Sequence, residues 1–380
     1  MSTINELHSK AMDLAETAFF HSRKGESILA SQYFAKALEL ERRAAYMLSI
    51  DEINEPSRSI LFRSAASLAF NAGDPISAER LAAQGLAGFP PPEIQEELRD
   101  LLEEIAFYRH LSTHGMQLSE AEWKMTLDGS AVKKGVVLTD LLMARVEKVS
   151  SLVRRTVERK LGLPFQVNRG VPDGRRDRYG LFTRAFAPSS FAVIFQLGQP
   201  DEKQIPLFTG ELEPVQVIDE VLTCLSFVEN EHVDLLSERI PDQDYLENFI
   251  GLARQIAPDG KDIKTVGFTV LRGGEESSLA IRKNRKAIGR AFSRVTKQAD
   301  NDDSPGEILV LNGVLNFASS PRSKSYGTVK LIDLITGKHK TIHVRKSLMK
   351  DIVQPYYEEN VQVTVIKKGE TLFLDDVASK

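Results

Sequence analysis

Cysteine is almost absent from this chain. Cys224 is the one thiol in 380 residues, which excludes an internal disulfide framework and predicts a reducing, cytoplasmic setting. No apolar run approaches the roughly 18 residues of a membrane span, and the opening "MSTINELHSK" has no apolar signal core, so no membrane attachment is expected. The phosphate loop GxxxxGK[ST] is missing, which leaves "TGKHKT" at 336–341 as a basic hairpin turn. A dinucleotide glycine pattern and a GxSxG nucleophile elbow are missing too. His110 and His114 stand four apart, as do His339 and His343, but neither pair has the adjacent glutamate and third ligand that zinc sites require. Asp302 and Asp303 fall in a polar run and read as solvated. Cys224 sits beside an apolar helical stripe with no basic neighbour in the helix, which suits a buried small hydrophobe and not a nucleophile. No catalytic residue, metal ligand or cofactor is therefore expected, although a site dispersed along the chain and assembled by folding would leave no motif.

What the chain does have is ordinary globular composition, 42% hydrophobic and 27% charged, at a length that predicts two or three domains. Its charge is uneven. Residues 1–108 carry 10 basic and 17 acidic side chains, whereas 109–300 carry 28 and 26 and 301–380 carry 11 and 10. An acidic first segment does not suit a grip on nucleic acid, whose phosphates demand local excess of Lys and Arg.

Small and apolar residues recur at helical spacing in that first segment. Ile4, Leu7, Ala11, Leu14, Ala15 and Ala18 form one stripe, "RKGE" around Gly25 breaks it, and Ala30, Phe34, Ala37, Leu38, Ala45 and Leu48 form another, the pattern of two antiparallel helices. A copy follows around Gly73. Measured from each glycine, Ala18 matches Ala66, Ala30 matches Ala78, Phe34 matches Ala82 and Ala37 matches Gly85. Pro90 ends the second copy, where the first has Arg42. These offsets, over about residues 5–105, resemble the tetratricopeptide repeat. The glycines lie 48 residues apart against a family period of about 34, which predicts an insertion or a longer helix end around "SIDEINEP". A third helix from Pro92 would cap the stack. The resemblance implies a concave surface for a protein partner, with a purely scaffolding role for the hairpins as the alternative.

Residues 109–300 predict an α+β domain with an antiparallel sheet. "GMQLSEAEWKMTLDGSAVKKGVVL" reads as a hairpin or two short strands, and "DLLMARVEKVSSLVRRTVERKLG" as a helix with a Leu142, Val146, Val149, Val153, Val157 stripe. Its other face, with Arg145, Lys148, Arg154, Arg155, Arg159 and Lys160, reads as solvated because Asp140, Glu147 and Glu158 are interspersed. The arginines of "VNRGVPDGRRDR" suit an interdomain link. Two strands, two helices and two further strands follow. Through "IRKNRKAIGRAFSRVTK", Arg282, Lys283, Arg285, Lys286, Arg290, Arg294 and Lys297 run without an acidic residue between them. Such a run suits an acidic partner, either a group within the chain or an outside protein or nucleic acid, with a solvated face as the alternative.

A boundary is expected at "ADNDDSPGE". Residues 304–380 then predict a small all-β barrel of five strands, with a short helix between the third and fourth. That order resembles an OB-fold, with an SH3-like barrel as the alternative. OB-folds bind nucleic acid through aromatic platforms on strands two and three. Here Tyr326 is expected just ahead of strand two, and neither strand itself offers an aromatic ring.

The layout is thus multidomain: repeat-like helices over 1–108, an α+β domain over 109–300 and a barrel over 304–380. The function it favours is a protein-interaction or adaptor role through the helices. One alternative is a nucleic-acid-associated protein using residues 282–297 and the barrel, with Arg282, Lys283, Arg285, Lys286, Arg290 and Arg294 as contacts. Another is an enzyme with a dispersed site in the middle domain.

Overall fold

In the computed structural model the described residues are 3–24, 26–111, 118–132, 136–167, 179–187, 192–198, 212–293, 295, 306–319, 325–334 and 336–379. The chain forms two compact units, Met1–Ser112 and Thr113–Lys380.

The first unit is helical. Helix α1 (Ile4–Arg23) starts from a reciprocal cap, in which the Glu6 amide donates to Thr3 Oγ1 and the Thr3 amide to Glu6 Oε2. Helices α2 (Ser27–Tyr46), α3 (Ser57–Asn71), α4 (Pro75–Leu86) and α5 (Pro92–Leu111) follow. Asp74 caps α4 by accepting the Ser77 amide, with Pro75 at the first helical position. A short 3-10 turn, Glu52–Asn54, fills the extra spacing between the two hairpins. All eight positions matched between the hairpins are buried. Small residues at most of these points let helix axes approach closely; Leu98, Leu101 and Ile105 of α5 close the core around Ala66, Ala78 and Ala82, and Ala18, Ala30, Phe34 and Ala37 cluster with Leu68.

The second unit joins a sheet layer to a barrel. Strands β1 (Glu122–Asp128), β2 (Leu181–Ala187), β3 (Ala192–Leu197), β4 (Thr265–Arg272) and β5 (Glu275–Ile281) form an antiparallel sheet in the order β2-β3-β1-β4-β5. Packed with it are α6 (Thr139–Lys160), α7 (Pro214–Glu229), α8 (Val233–Arg239) and α9 (Gln243–Ile256), and α10 (Arg285–Ala291) lies beyond β5. Within the stretch expected to hold a hairpin or two short strands, Glu122–Asp128 form strand β1, and residues 112–117 and 133–135 lie outside the described residues. β1 is the middle of the sheet, pairing with β3 and β4 from far along the chain. Trp123 on β1 stacks on Phe268 at 5.4 Å, and Met125 and Leu127 join the same core. The opposite face of β1 is also buried, with Glu122, Lys124 and Thr126 on it, so the strand lacks the exposed face that simple alternation predicts.

The barrel is closed, in the order β10-β8-β7-β6-β9. Its strands are β6 (Glu307–Ser319), β7 (Tyr326–Asp333), β8 (His339–Arg345), β9 (Asn360–Lys368) and β10 (Thr371–Ser379). Strands β10 and β8 pair in parallel, and the other neighbours are antiparallel. β6 passes from β9 to β7 at Gly313, where any Cβ would collide with the Ile332 carbonyl oxygen. Between β8 and β9 runs a helical crossover, residues 346–356. The apolar core continues from Trp123 and Phe249 in the layer to Ile342 and Val363 in the barrel. Gly251 on α9 allows close approach to Leu348 and Ile352 of the crossover.

Close packing at the matched alanines is directly testable. Ala78→Leu is expected to destabilise the helical unit by about 1–3 kcal/mol through overpacking, read by urea unfolding. An unchanged midpoint would contradict the tight helix contact at Ala78.

Candidate functional site

The basic run divides in space. Asn284 caps α10 by accepting the Ala287 amide, so Arg285, Lys286 and Arg290 lie on a helix. Lys283 pairs with Glu231 at 2.5 Å. The Arg282 and Lys283 amides both donate to Glu229 Oε2 at 3.2 Å. Burial pushes the Glu229 carboxyl above its usual range, against those hydrogen bonds. Arg285 turns inward and donates to the Gln255 carbonyl at 3.2 Å, while Lys286 and Arg290 are exposed. Arg294 and Lys297, like the arginines at 169–178, lie outside the described residues.

The basic face of α6, expected to be solvated, is largely buried: Arg145, Lys148 and Arg155 are each under 5% exposed. Acidic groups remote in sequence account for the difference. Arg145 donates to Asp259 at 3.0 Å, and Arg159 and Arg239 both pair with Glu220. At the barrel crossover, Asp351 accepts Arg154 on one oxygen at 2.5 Å and Arg155 on the other at 2.7 Å; Asn248 of α9 joins the second oxygen at 3.1 Å. Burial favours protonation of Asp351, but the charges of Arg155 and Arg154 outweigh it and hold the carboxyl below its usual range. Lys148 donates to the Asp351 carbonyl at 2.8 Å, and burial pulls its amine down to about 8. Further links are Arg345 with Glu247, Arg254 with Asp375, and Gln255 with the Val377 carbonyl.

Two clefts flank this network. One, about 90 Å³, lies between α9 and the barrel, with Arg254 and Gly251 on one wall, Tyr326 and Phe373 on the other, and Ser293 of the basic segment in its lining. Tyr326 is the first residue of strand β7, paired with Arg345, a correction to its expected place ahead of the strand. Its ring meets Phe373 edge-on at 5.6 Å, and His343 lies 5.7 Å from Phe373. Rings on β7, β8 and β10 thus form a patch that sequence reasoning missed, because Phe373 reaches it through the parallel β8–β10 pairing. The other cleft is wider, about 350 Å³, and lies between α6 and the crossover.

Cys224 is fully buried, 3.8 Å from Glu220 Oε1. Burial and that charge push its thiol up to about 12, which suppresses the nucleophilic thiolate. Among the described residues no cluster of three or more His, Cys, Asp or Glu is arranged to hold a metal, and no helix is long and apolar enough to cross a membrane.

The helical unit has surface features of its own. Ten of the nineteen exposed large apolar side chains among the described residues lie in it. Ser31 Oγ donates to the Ala72 carbonyl, which brings the α1–α2 and α3–α4 turns to one end. That end carries Phe19, Phe20, Ile28, Leu29 and Ile76. At the opposite end the Phe89 amide donates to Glu55, and Tyr46, Met47, Ile50, Ile53 and Phe89 are exposed, Ile53 by 89%.

No protein-family model matches this chain, and no curated protein or solved structure does either.

The Glu220 cluster sets a pH dependence. Burial alone would raise this carboxyl, but hydrogen bonds from Arg239 and Arg159 hold it down to about 2, from an ordinary 4.5. Because the folded value is depressed, its contribution is complete above about pH 4.5 and fades as pH falls toward 2. Glu220→Gln is expected to cost on the order of 2 kcal/mol at pH 7 and less at pH 3, measured by urea unfolding. An equal loss at both pH values would contradict the assignment.

Proposed function

We propose that the protein is an interaction protein that holds a protein partner on its amino-terminal helices, and that these helices are tetratricopeptide-like. The observation that carries the reading is the exposed apolar surface at both ends of the helical stack. A segment of under a third of the chain bears ten exposed large apolar side chains, and such concentration is characteristic of association surfaces. Burial of all eight matched positions supports the repeat-like reading. The end with Ile50 and Ile53 also presents exposed Asp51 and Glu52, which suits a partner segment with apolar residues flanked by Lys or Arg.

A second reading, nucleic-acid association, is favoured by one observation: Ser293 of the basic segment and the Tyr326 and Phe373 rings line the same cleft. The strand order, the parallel β8–β10 pair and the crossover between β8 and β9 support an OB-like barrel over an SH3-like one. Stacking rings beside cations are the components of single-strand binding. Against it, Arg254 and Arg345 are already paired with carboxylates.

An affinity purification from the native cell separates the two. A stoichiometric protein partner retained after nuclease treatment and lost in Ile50→Glu/Ile53→Glu is the expected result, with stability unchanged within about 0.5 kcal/mol because both sites are exposed. Capture that disappears with nuclease would overturn the first reading. Under the second, Lys286→Gln/Arg290→Gln flattens the salt dependence of single-strand binding by about 0.7 per lost phosphate contact.

A further inference from the structure

In the cleft between α6 and the crossover the charges do not cancel. Lys148, Arg154 and Lys350 line it with Glu147 and Asp351, and Ser151 adds a hydroxyl. Both Asp351 carboxylate oxygens are committed to the helix interface, one to Arg154 and the other to Arg155 and Asn248. Glu147 is exposed at the rim. Lys148 is 4% exposed and fixed by one hydrogen bond to the Asp351 carbonyl, which leaves two ammonium protons. The Arg154 guanidinium donates from Nη2 to Asp351 and remains 25% exposed. The Lys350 side chain makes no hydrogen bond or ion pair among the described residues.

We infer that this cleft binds a small phosphate monoester, whose phosphoryl oxygens are taken by Lys148, Arg154 and Lys350. Three cationic donors approaching from two different elements suit a tetrahedral, doubly charged oxyanion, whereas a lone carboxylate engages only part of the set. The volume, about 350 Å³, lies at the small end of the range for organic ligands. It leaves room for a compact organic group against Gln354 and Pro355. The cations are already under mutual repulsion: burial and the neighbouring Arg154 charge depress the Lys350 amine, and a bound dianion relieves that repulsion. The α9–barrel cleft offers no such excess, since its Arg254 and Arg345 face Asp375, Asp376 and Glu247. This site is independent of the helical surface proposed above for a protein partner.

The test is isothermal titration of the full chain with inorganic phosphate, glycerol 3-phosphate and acetate at matched ionic strength. Saturable one-to-one binding of both phosphates is expected, tighter for the monoester, with acetate inert. Lys350→Gln is chosen because Arg154 also anchors Asp351 and its replacement would disturb the fold. It should weaken phosphate binding by about tenfold, a loss typical of one charge-assisted contact, at unchanged melting temperature, and Lys350→Arg should restore it. Absence of saturation by about 10 mM phosphate, equal binding in Lys350→Gln, equal binding of acetate, or binding of single-stranded RNA without binding of either phosphate would each overturn the inference.

Discussion

The carboxylate of Asp351 is the contact on which the second unit turns. It lies on the crossover that closes the barrel, and it meets two arginines of α6 and an asparagine of α9. Removing either side of such an arrangement strands a buried charge, so the two sides of the interface are retained together. The apolar core runs through the same junction, and hydrogen bonds from Arg254 and Gln255 to Asp375 and Val377 extend it along β10. The barrel is consequently part of one body with the sheet layer.

That junction explains why the surfaces differ in character. On α6, cations needed for the interface exceed the carboxylates that reach them, and the remainder face the open cleft beside Lys350. On α9, pairing with Glu247, Asp375 and Asp376 is nearly complete, and the narrow cleft there is defined by rings instead. The basic run is split by the same logic. Lys283 and Arg285 are held by groups of the layer, and Lys286 and Arg290 remain at the surface.

Much of the fold was legible in the sequence because its signals are local. Alanines at matched offsets from Gly25 and Gly73 marked the hairpins, and alternation in "GTVKLIDL" and "NVQVTVIK" marked barrel strands whose inward residues, Val329, Leu331, Val361 and Val363, are buried. Helix α8 went unseen because seven residues are too few to establish a period. Around β1 the local pattern suggests a hairpin or two short strands and leaves no trace of the partners β3 and β4, which begin about seventy and more residues away. The α6 face was read as solvent because its counter-charges come from Asp259, Glu220 and Asp351, the last nearly two hundred residues downstream. Nothing in the local pattern distinguishes a charge that meets water from one that meets a remote carboxylate. The ring patch was missed for the same reason, since a parallel strand pair brings Phe373 to His343.

Native-state hydrogen exchange in the full chain and in Asp351→Asn measures the central claim, that the layer and the barrel are one body joined by this carboxylate. In the native protein the amides of β4 and β9 should open with a common free energy. In Asp351→Asn both should lose protection together, by about 3–5 kcal/mol. Barrel amides that open independently of β4, or that keep full protection in the variant, would contradict it.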